Sequence, residues 1–258
     1  RIRSRGLGDV YKRQHWLNLN GQWGFATDPD NLGIRQQWWL REKWPETITV
    51  PFCPNSPASG VQIDPDITTV WYHRTFELPD WASADVVLNI GACDYHSQIY
   101  INSQQAGEHQ GGYTPIHLSI GDYLKPGTNH IVVRATDSDS WQQPRGKQEG
   151  TTRWPIDYDA VIGIWQSVWL EPTNAVHITH LGSHYDLRAQ QLHLTCTLSD
   201  QFHGQLTAHL RTNDLDVAAT SAEGQARSEL RITLDVADPR LWSPCLLYTS
   251  DAADETTG

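Results

Sequence analysis

The chain has 258 residues, of which 38% are hydrophobic and 19% charged. That balance excludes wholesale disorder, and no apolar run is long enough for a membrane-spanning helix. Its 19 Lys+Arg against 30 Asp+Glu give a net charge of −11, which argues against nucleic acid as the main partner, because phosphate binding needs a basic face. Two counts are unusual: there are 12 Trp and no Met.

The two ends read differently from the rest. Residues 4–14, SRGLGDVYKRQ, and residues 245–255, CLLYTSDAADE, lack the strand alternation between them. Both resemble in-frame translations of the transposon adapter used to prepare sequencing libraries, one from each strand. Residues 1–14 and 245–258 are therefore expected to be adapter artefact. The genuine chain then runs from about His15 to Pro244 of a gene cut at both ends.

From His15 onward the pattern is short strands between turn residues. Val86, Leu88 and Ile90 alternate with Val87 and Asn89. Ile99 and Ile101 flank Tyr100, and Ile131, Val133 and Ala135 alternate with Val132 and Arg134. Asn102-Ser103, Gly111-Gly112 and Pro126-Gly127 break these runs where turns belong. Such spacing predicts an antiparallel sandwich or jelly roll over residues 15–172. Trp23, Trp71, Trp165 and Trp169 sit in apolar runs and are expected in its core.

Between the strands lies a polar stretch, residues 142–148, bounded by Trp141 and Trp154. It holds Arg145 and Lys147 among glutamines, and Asp137, Asp139, Asp157 and Asp159 flank the region. An indole face stacks on the C–H face of a sugar, while amides, guanidinium and carboxylates bond hydroxyls. The region is a candidate carbohydrate surface, with a solvated turn as the plain alternative.

A second block begins near Thr173. Leu192, Leu194, Cys196 and Leu198 form one alternating run, Leu206, Ala208 and Leu210 another, and Leu230, Ile232, Leu234 and Val236 a third. Each has one apolar and one polar face, as in a small two-sheet sandwich. Residues 173–244 fall short of the ~100 of an immunoglobulin-like domain, so an incomplete one is expected. Of the 12 Trp, 11 precede Thr173. His177 and His180 would point to opposite faces of a strand, so no metal site is expected there. Cys53, Cys93 and Cys196 have no paired spacing and read as buried small hydrophobes.

Several segments taken in order resemble glycoside hydrolase family 2, the β-galactosidase and β-glucuronidase family. They are LNGQWGF at residues 19–25, VPFCP at 50–54 leading to Ser59-Gly60, and VWYHRTF at 70–76. GACDY at 91–95 follows with IYIN at 99–102, GEH at 107–109 and GGYTP at 111–115. QPRGKQ at 143–148, GIWQSVWLE at 163–171 and LWSP at 241–244 complete the match.

The resemblance implies an all-β chain: a jelly-roll, galactose-binding-like sandwich followed by a truncated immunoglobulin-like sandwich. It implies the non-catalytic N-terminal part of a retaining β-glycosidase. The two catalytic glutamates would lie in a following (β/α)8 barrel, so the chain alone is expected to be inactive. Loops of the first domain would help shape the sugar subsite, among them residues 157–162. Many relatives carry WYTR before the GIW motif, where this chain has Asp157-Tyr158-Asp159-Ala160. Asp157, Asp159, Arg145 and Trp141 are the residues expected nearest a carbohydrate substrate. No cofactor, metal, nucleic acid or membrane partner is implied, and a homo-oligomer of the parent enzyme is compatible. A free-standing carbohydrate-binding module or a structural sandwich protein is the competing reading.

Overall fold

The computed structural model describes residues 15–81, 86–138, 142–144, 146–149, 158–174, 176–212, 215–237, 239 and 244. The two adapter-like ends, residues 1–14 and 245–258, lie outside them. The chain divides into two compact units, one spanning His15–Pro172 and one beginning at Thr173. Among the described residues no helix is long and apolar enough to cross a membrane.

The first unit contains β1 (Leu17–Asn18), β2 (Gly21–Thr27), β3 (Glu46–Val50), β4 (Thr69–Glu77) and β5 (Val86–Ile90). Next come β6 (Cys93–Asp94), β7 (His96–Ile101), β8 (Gln104–Gln110), β9 (Ile116–Ser119) and β10 (Thr128–Thr136). The short β11 (Gln148–Glu149), β12 (Tyr158–Asp159) and β13 (Gly163–Ile164) precede β14 (Val168–Pro172). A six-stranded antiparallel sheet has the order β3-β2-β4-β10-β7-β8, and a four-stranded one the order β1-β14-β5-β9. The fold is all-β, and the two sheets form a sandwich.

The alternation explains the core. Phe25, Tyr72, Ile99, Ile131 and Val133 from the larger sheet meet Leu88, Ile90, Val168 and Leu170 from the smaller one in a single apolar cluster. Trp23 joins it fully buried, with its Nε1 donating to the Leu19 carbonyl at 2.8 Å. The turn at Asn102-Ser103 links β7 to β8 with both residues at positive φ, 47° and 73°, as a tight hairpin requires.

Two expectations about tryptophans need correction, and burial in β5 goes beyond simple alternation: Val87 and Asn89 are buried as well as Val86, Leu88 and Ile90. Asn89 is satisfied there: its Nδ2 donates to Glu171 and its Oδ1 contacts the His117 ring. Of the four tryptophans expected in the core, Trp23 and Trp71 are fully buried, whereas Trp165 and Trp169 are only half-buried. Trp71 faces away from the main core, into a second cluster with Ala26, Trp38, Tyr100 and Val132 on the outer face of the six-stranded sheet. Residues 28–44 carry Trp38, Trp39 and Trp44 onto that face, so alternation there does not mean polar-out.

The second unit holds β15 (Ile178–Asp186), β16 (Gln191–Thr212) and β17 (Leu215–Asp235) in one antiparallel sheet of order β15-β16-β17. The runs expected as separate strands, Leu192–Leu198 and Leu206–Leu210, belong to one long strand. Register shifts between Thr197 and Phe202 and between Phe202 and His203 interrupt its pairing with β17. Both halves feed one apolar cluster: Leu206 packs with Cys196, Leu198, Leu230, Ile232 and Leu234. A long hairpin bent at bulges can thus present both inner faces of a sandwich.

Candidate functional site

Three of the four residues expected nearest substrate, Trp141, Arg145 and Asp157, lie outside the described residues, as do Asp139 and Trp154. Asp159 is placed through its backbone: it pairs with Glu149 in the parallel two-strand ladder of β11 and β12. The grouping of these four side chains lies outside the described residues, whereas the segments beside them are described.

The ladder closes the polar stretch into a loop. Tyr158 N donates to the Lys147 carbonyl at 2.9 Å. Gln148 turns its side chain back on the same loop, its Oε1 accepting from Val161 N at 2.6 Å. Gln143, at the start of the stretch, donates through Nε2 to the Ser138 carbonyl at 2.7 Å and to Asp137. Asp137 is itself anchored by its N–H to the Thr68 carbonyl at 2.9 Å. These bonds hold the start of the polar stretch to the residues just after β10, and its end to Tyr158 and Val161.

The neighbouring wall comes from β6 and β13, which pair Asp94 with Gly163 and Cys93 with Ile164. Asp94 is 4% exposed, a buried carboxylate on a strand otherwise apolar. A Cβ on Gly112 would lie 2.3 Å from Asp94 Oδ1, so only glycine lets that backbone close over the carboxylate. Trp165 fixes the same backbone, its Nε1 donating to the Gly112 carbonyl at 2.8 Å, and Tyr113 meets its ring edge-on. A cavity of about 140 Å³ lies at Asp137 and residues 160–162, lined in part by Asn55, Asp64, Asp66, Asp137, Ser138 and Ala160. Asn55 shapes its rim by accepting from Ile63 N at 2.9 Å.

Electrostatically this end of the sandwich is acidic. Burial pushes the Asp94 carboxyl up to about 7, the charge of Asp137 adds to that, and the hydrogen bond from Gln148 opposes it. Burial pushes the Cys93 thiol up to about 12, so it is not a nucleophile at neutral pH. A carboxyl near half-ionised can both donate to and accept from a hydroxyl. Among the described residues, no three His, Cys, Asp or Glu come together to hold a metal ion.

The Asp94 shift has a consequence for stability. The folded state holds this proton more tightly than the unfolded chain, whose carboxyl has its ordinary value near 3.8. The contribution is fully present below about pH 4 and is lost as pH rises through about 7, an effect of roughly 2–4 kcal/mol. Urea unfolding between pH 4 and 8 should show that decline, and Asp94→Asn should flatten it. Parallel pH profiles for the two proteins would contradict the assignment.

Asp94 was legible in the sequence only as part of the GACDY motif. No spacing marks a carboxylate buried in an apolar strand as part of a site. The facing glycines, Gly112 and Gly163, are the one signal that points to close approach.

Comparison with known proteins places this geometry in context. The family profile described as "Glycosyl hydrolases family 2, sugar binding domain" matches residues 17–173. A β-glucuronidase of Paenibacillus borealis is 28% identical over 252 residues, covering 90% of this chain and 40% of its own length. A β-galactosidase of Thermoanaerobacter pseudethanolicus is 27% identical over 164 residues, 63% of this chain and 21% of its own length. The solved structure of a Ruminococcus gnavus β-glucuronidase in complex with D-glucaro 1,5-lactone matches with a TM-score of 0.70 at 21% identity, covering 91% of this chain and 41% of that one. At that identity the match shows the fold. The chain spans at most about 40% of the length of these two relatives.

Proposed function

This chain belongs to glycoside hydrolase family 2, and from that premise we propose that it is the non-catalytic N-terminal part of a retaining β-glycosidase of the β-galactosidase/β-glucuronidase type. The observation that carries this reading is the family match over the first sandwich. The polar end of that sandwich supports it: Gln148 accepts from Val161 N, and Asp137 lines the same cavity as Ala160 and Ile162. A retaining mechanism needs two carboxyls about 5 Å apart across one anomeric carbon. In this proposal a barrel outside the chain supplies both, and the chain contributes the rim. Asp157 and Asp159 accept from sugar hydroxyls, Arg145 offers a forked cation, and Trp141 offers a stacking face. Their work is orientation and exclusion of water.

The test is Asp159→Ala in the complete enzyme. Losing a charged hydrogen bond to substrate removes about 1.5–3 kcal/mol, a ten- to hundred-fold fall in kcat/KM. Unchanged kinetics would remove Asp159 from the subsite. The chain alone is expected to leave p-nitrophenyl β-glucuronide and β-galactoside intact, and turnover by the purified chain would contradict the non-catalytic role.

A further inference from the structure

Trp44 lies on the outer face of the six-stranded sheet, where residues 28–44 lead into β3. Its ring rests on β2: a Cβ on Gly24 would sit 2.7 Å from Trp44 Cγ and 2.9 Å from its Cβ, so glycine is what admits the indole there. The indole stacks on the His73 ring of β4, with centres 5.5 Å apart and planes 7° from parallel. Its Nε1 is buried and has no hydrogen-bond partner among the described residues, so packing rather than a hydrogen bond holds it. His73, half-buried, meets the exposed His130 of β10 in turn, with Nε2 and Nδ1 3.2 Å apart and ring centres 5.5 Å apart. The His130 backbone is pinned, its N–H donating to Asn102 Oδ1 at 3.0 Å.

We propose that Trp44, His73 and His130 form a proton-operated latch: the histidine pair holds the indole on the sheet while it carries no more than one proton, and a second proton releases Trp44 and the segment that leads to it. A bond between two imidazoles needs one N–H and one lone pair. A neutral pair supplies both, and so does a pair with one proton. With two protons both facing nitrogens are donors, and two cations are in contact. Burial pushes the His73 imidazole down to about 4, and His130 acts in the same direction. In an open form with its ordinary value near 6.5 the ring takes that proton more readily, so acid favours opening. The neighbouring elements bring no carboxylate to this face: in register with His73 lie Gly24 of β2, Thr47 of β3 beyond it, Val132 of β10 and Tyr100 of β7. Arg134 of β10 is bonded to Gln98 and Asn31, Arg41 lies over the Trp38 ring at 3.5 Å, and Glu42 and Lys43 are exposed. The latch requires no sugar at the polar loop.

Hydrogen exchange at the Trp44 indole N–H tests this on the full chain, scaled at each pH by the exchange of a free indole. Protection should fall about a hundredfold or more between about pH 6.5 and 4. The Trp23 indole, bonded to the Leu19 carbonyl in the main core, is the control. It should keep its protection, because the Asp94 shift strengthens the fold over the same range. His73→Phe keeps a ring beneath Trp44 and removes the proton, so its profile should be flat. His130→Gln gives a protonated His73 an acceptor, so the fall should shrink about tenfold. His130 is exposed, which keeps that variant readable should His73→Phe fail to fold. No fall in the parent chain, an equal fall in His73→Phe, an unchanged fall in His130→Gln, or parallel loss at Trp23 would each overturn the proposal.

Discussion

Replacing Asp28 with alanine is expected to destabilise the His15–Pro172 unit by about 3–5 kcal/mol, the cost of stripping a buried charge network of its anion. Asp28 is 2% exposed and accepts three hydrogen bonds, from Leu32 N at 2.7 Å, Gly33 N at 2.9 Å and Trp71 Nε1 at 3.0 Å. Without it those donors lose their acceptor in a site closed to water. The same carboxylate faces Arg134, which lies 5.9 Å over the Trp71 ring and donates to Gln98 at 2.9 Å and Asn31 at 2.8 Å. Burial lowers the Arg134 guanidinium from its ordinary value, and the Asp28 charge is the largest opposing influence. The network ties residues 28–44 across the outer face of the sheet, where Trp39 stacks on Tyr100 with ring centres 4.8 Å apart. Urea unfolding of the two proteins measures the effect. The double variant Asp28→Ala with Arg134→Leu should lose less than Asp28→Ala alone, because it removes the orphaned cation. A loss under about 1 kcal/mol for Asp28→Ala would contradict a structural role for the carboxylate.

Gly163→Ala is expected to be nearly as costly, for a different reason. Gly163 has φ +84°, and a Cβ there would lie 2.1 Å from the Tyr72 hydroxyl and 2.9 Å from its ring. The positive φ costs an alanine about 1–2 kcal/mol, and relieving the overlap in a packed core costs about 1–3 kcal/mol more. Tyr72 is fully buried and accepts from Ile164 N at 3.3 Å, so it has nowhere to move. Tyr72→Phe should partly rescue Gly163→Ala, because it removes the nearest atom while leaving the ring contacts. Gly163→Ala should also loosen the β6–β13 pairing and with it Asp94. A denaturation midpoint equal to that of the parent would contradict this packing.

The sandwich was legible in the sequence because period-two alternation and turn residues are local signals. Ile131, Val133 and Ala135 face the core as their spacing requires, and Asn102-Ser103 turns the chain where expected. What was not legible is what covers the other face. Val132, Trp71 and Tyr100 alternate out of the core, and only the fold reveals that residues 28–44 return to bury them. Asn89 escaped for the same reason, since its burial depends on partners 28 and 82 residues away. The long strand β16 reads in the sequence as two runs, Leu192–Leu198 and Leu206–Leu210, because the bulge near Phe202 interrupts its alternation.

The site was legible in composition but not in geometry. Aspartates, glutamines and indoles around residues 137–159 suggested hydroxyl recognition, and the described part of that region is polar and acidic. The bond from Val161 N to Gln148 could not be read from spacing, since it joins residues 13 positions apart.

The central proposal is that residues 157–162, whose described part is fastened to Gln148 through Val161 N, form the sugar-facing rim of a family 2 glycosidase. Titrating the isotopically labelled chain with methyl β-D-glucuronide and methyl β-D-galactoside, while following its amide resonances, tests it directly. The expected result is saturable, millimolar shifts centred on residues 158–165, abolished by Asp159→Ala. Shifts confined to other surfaces, or none with either sugar, would contradict it.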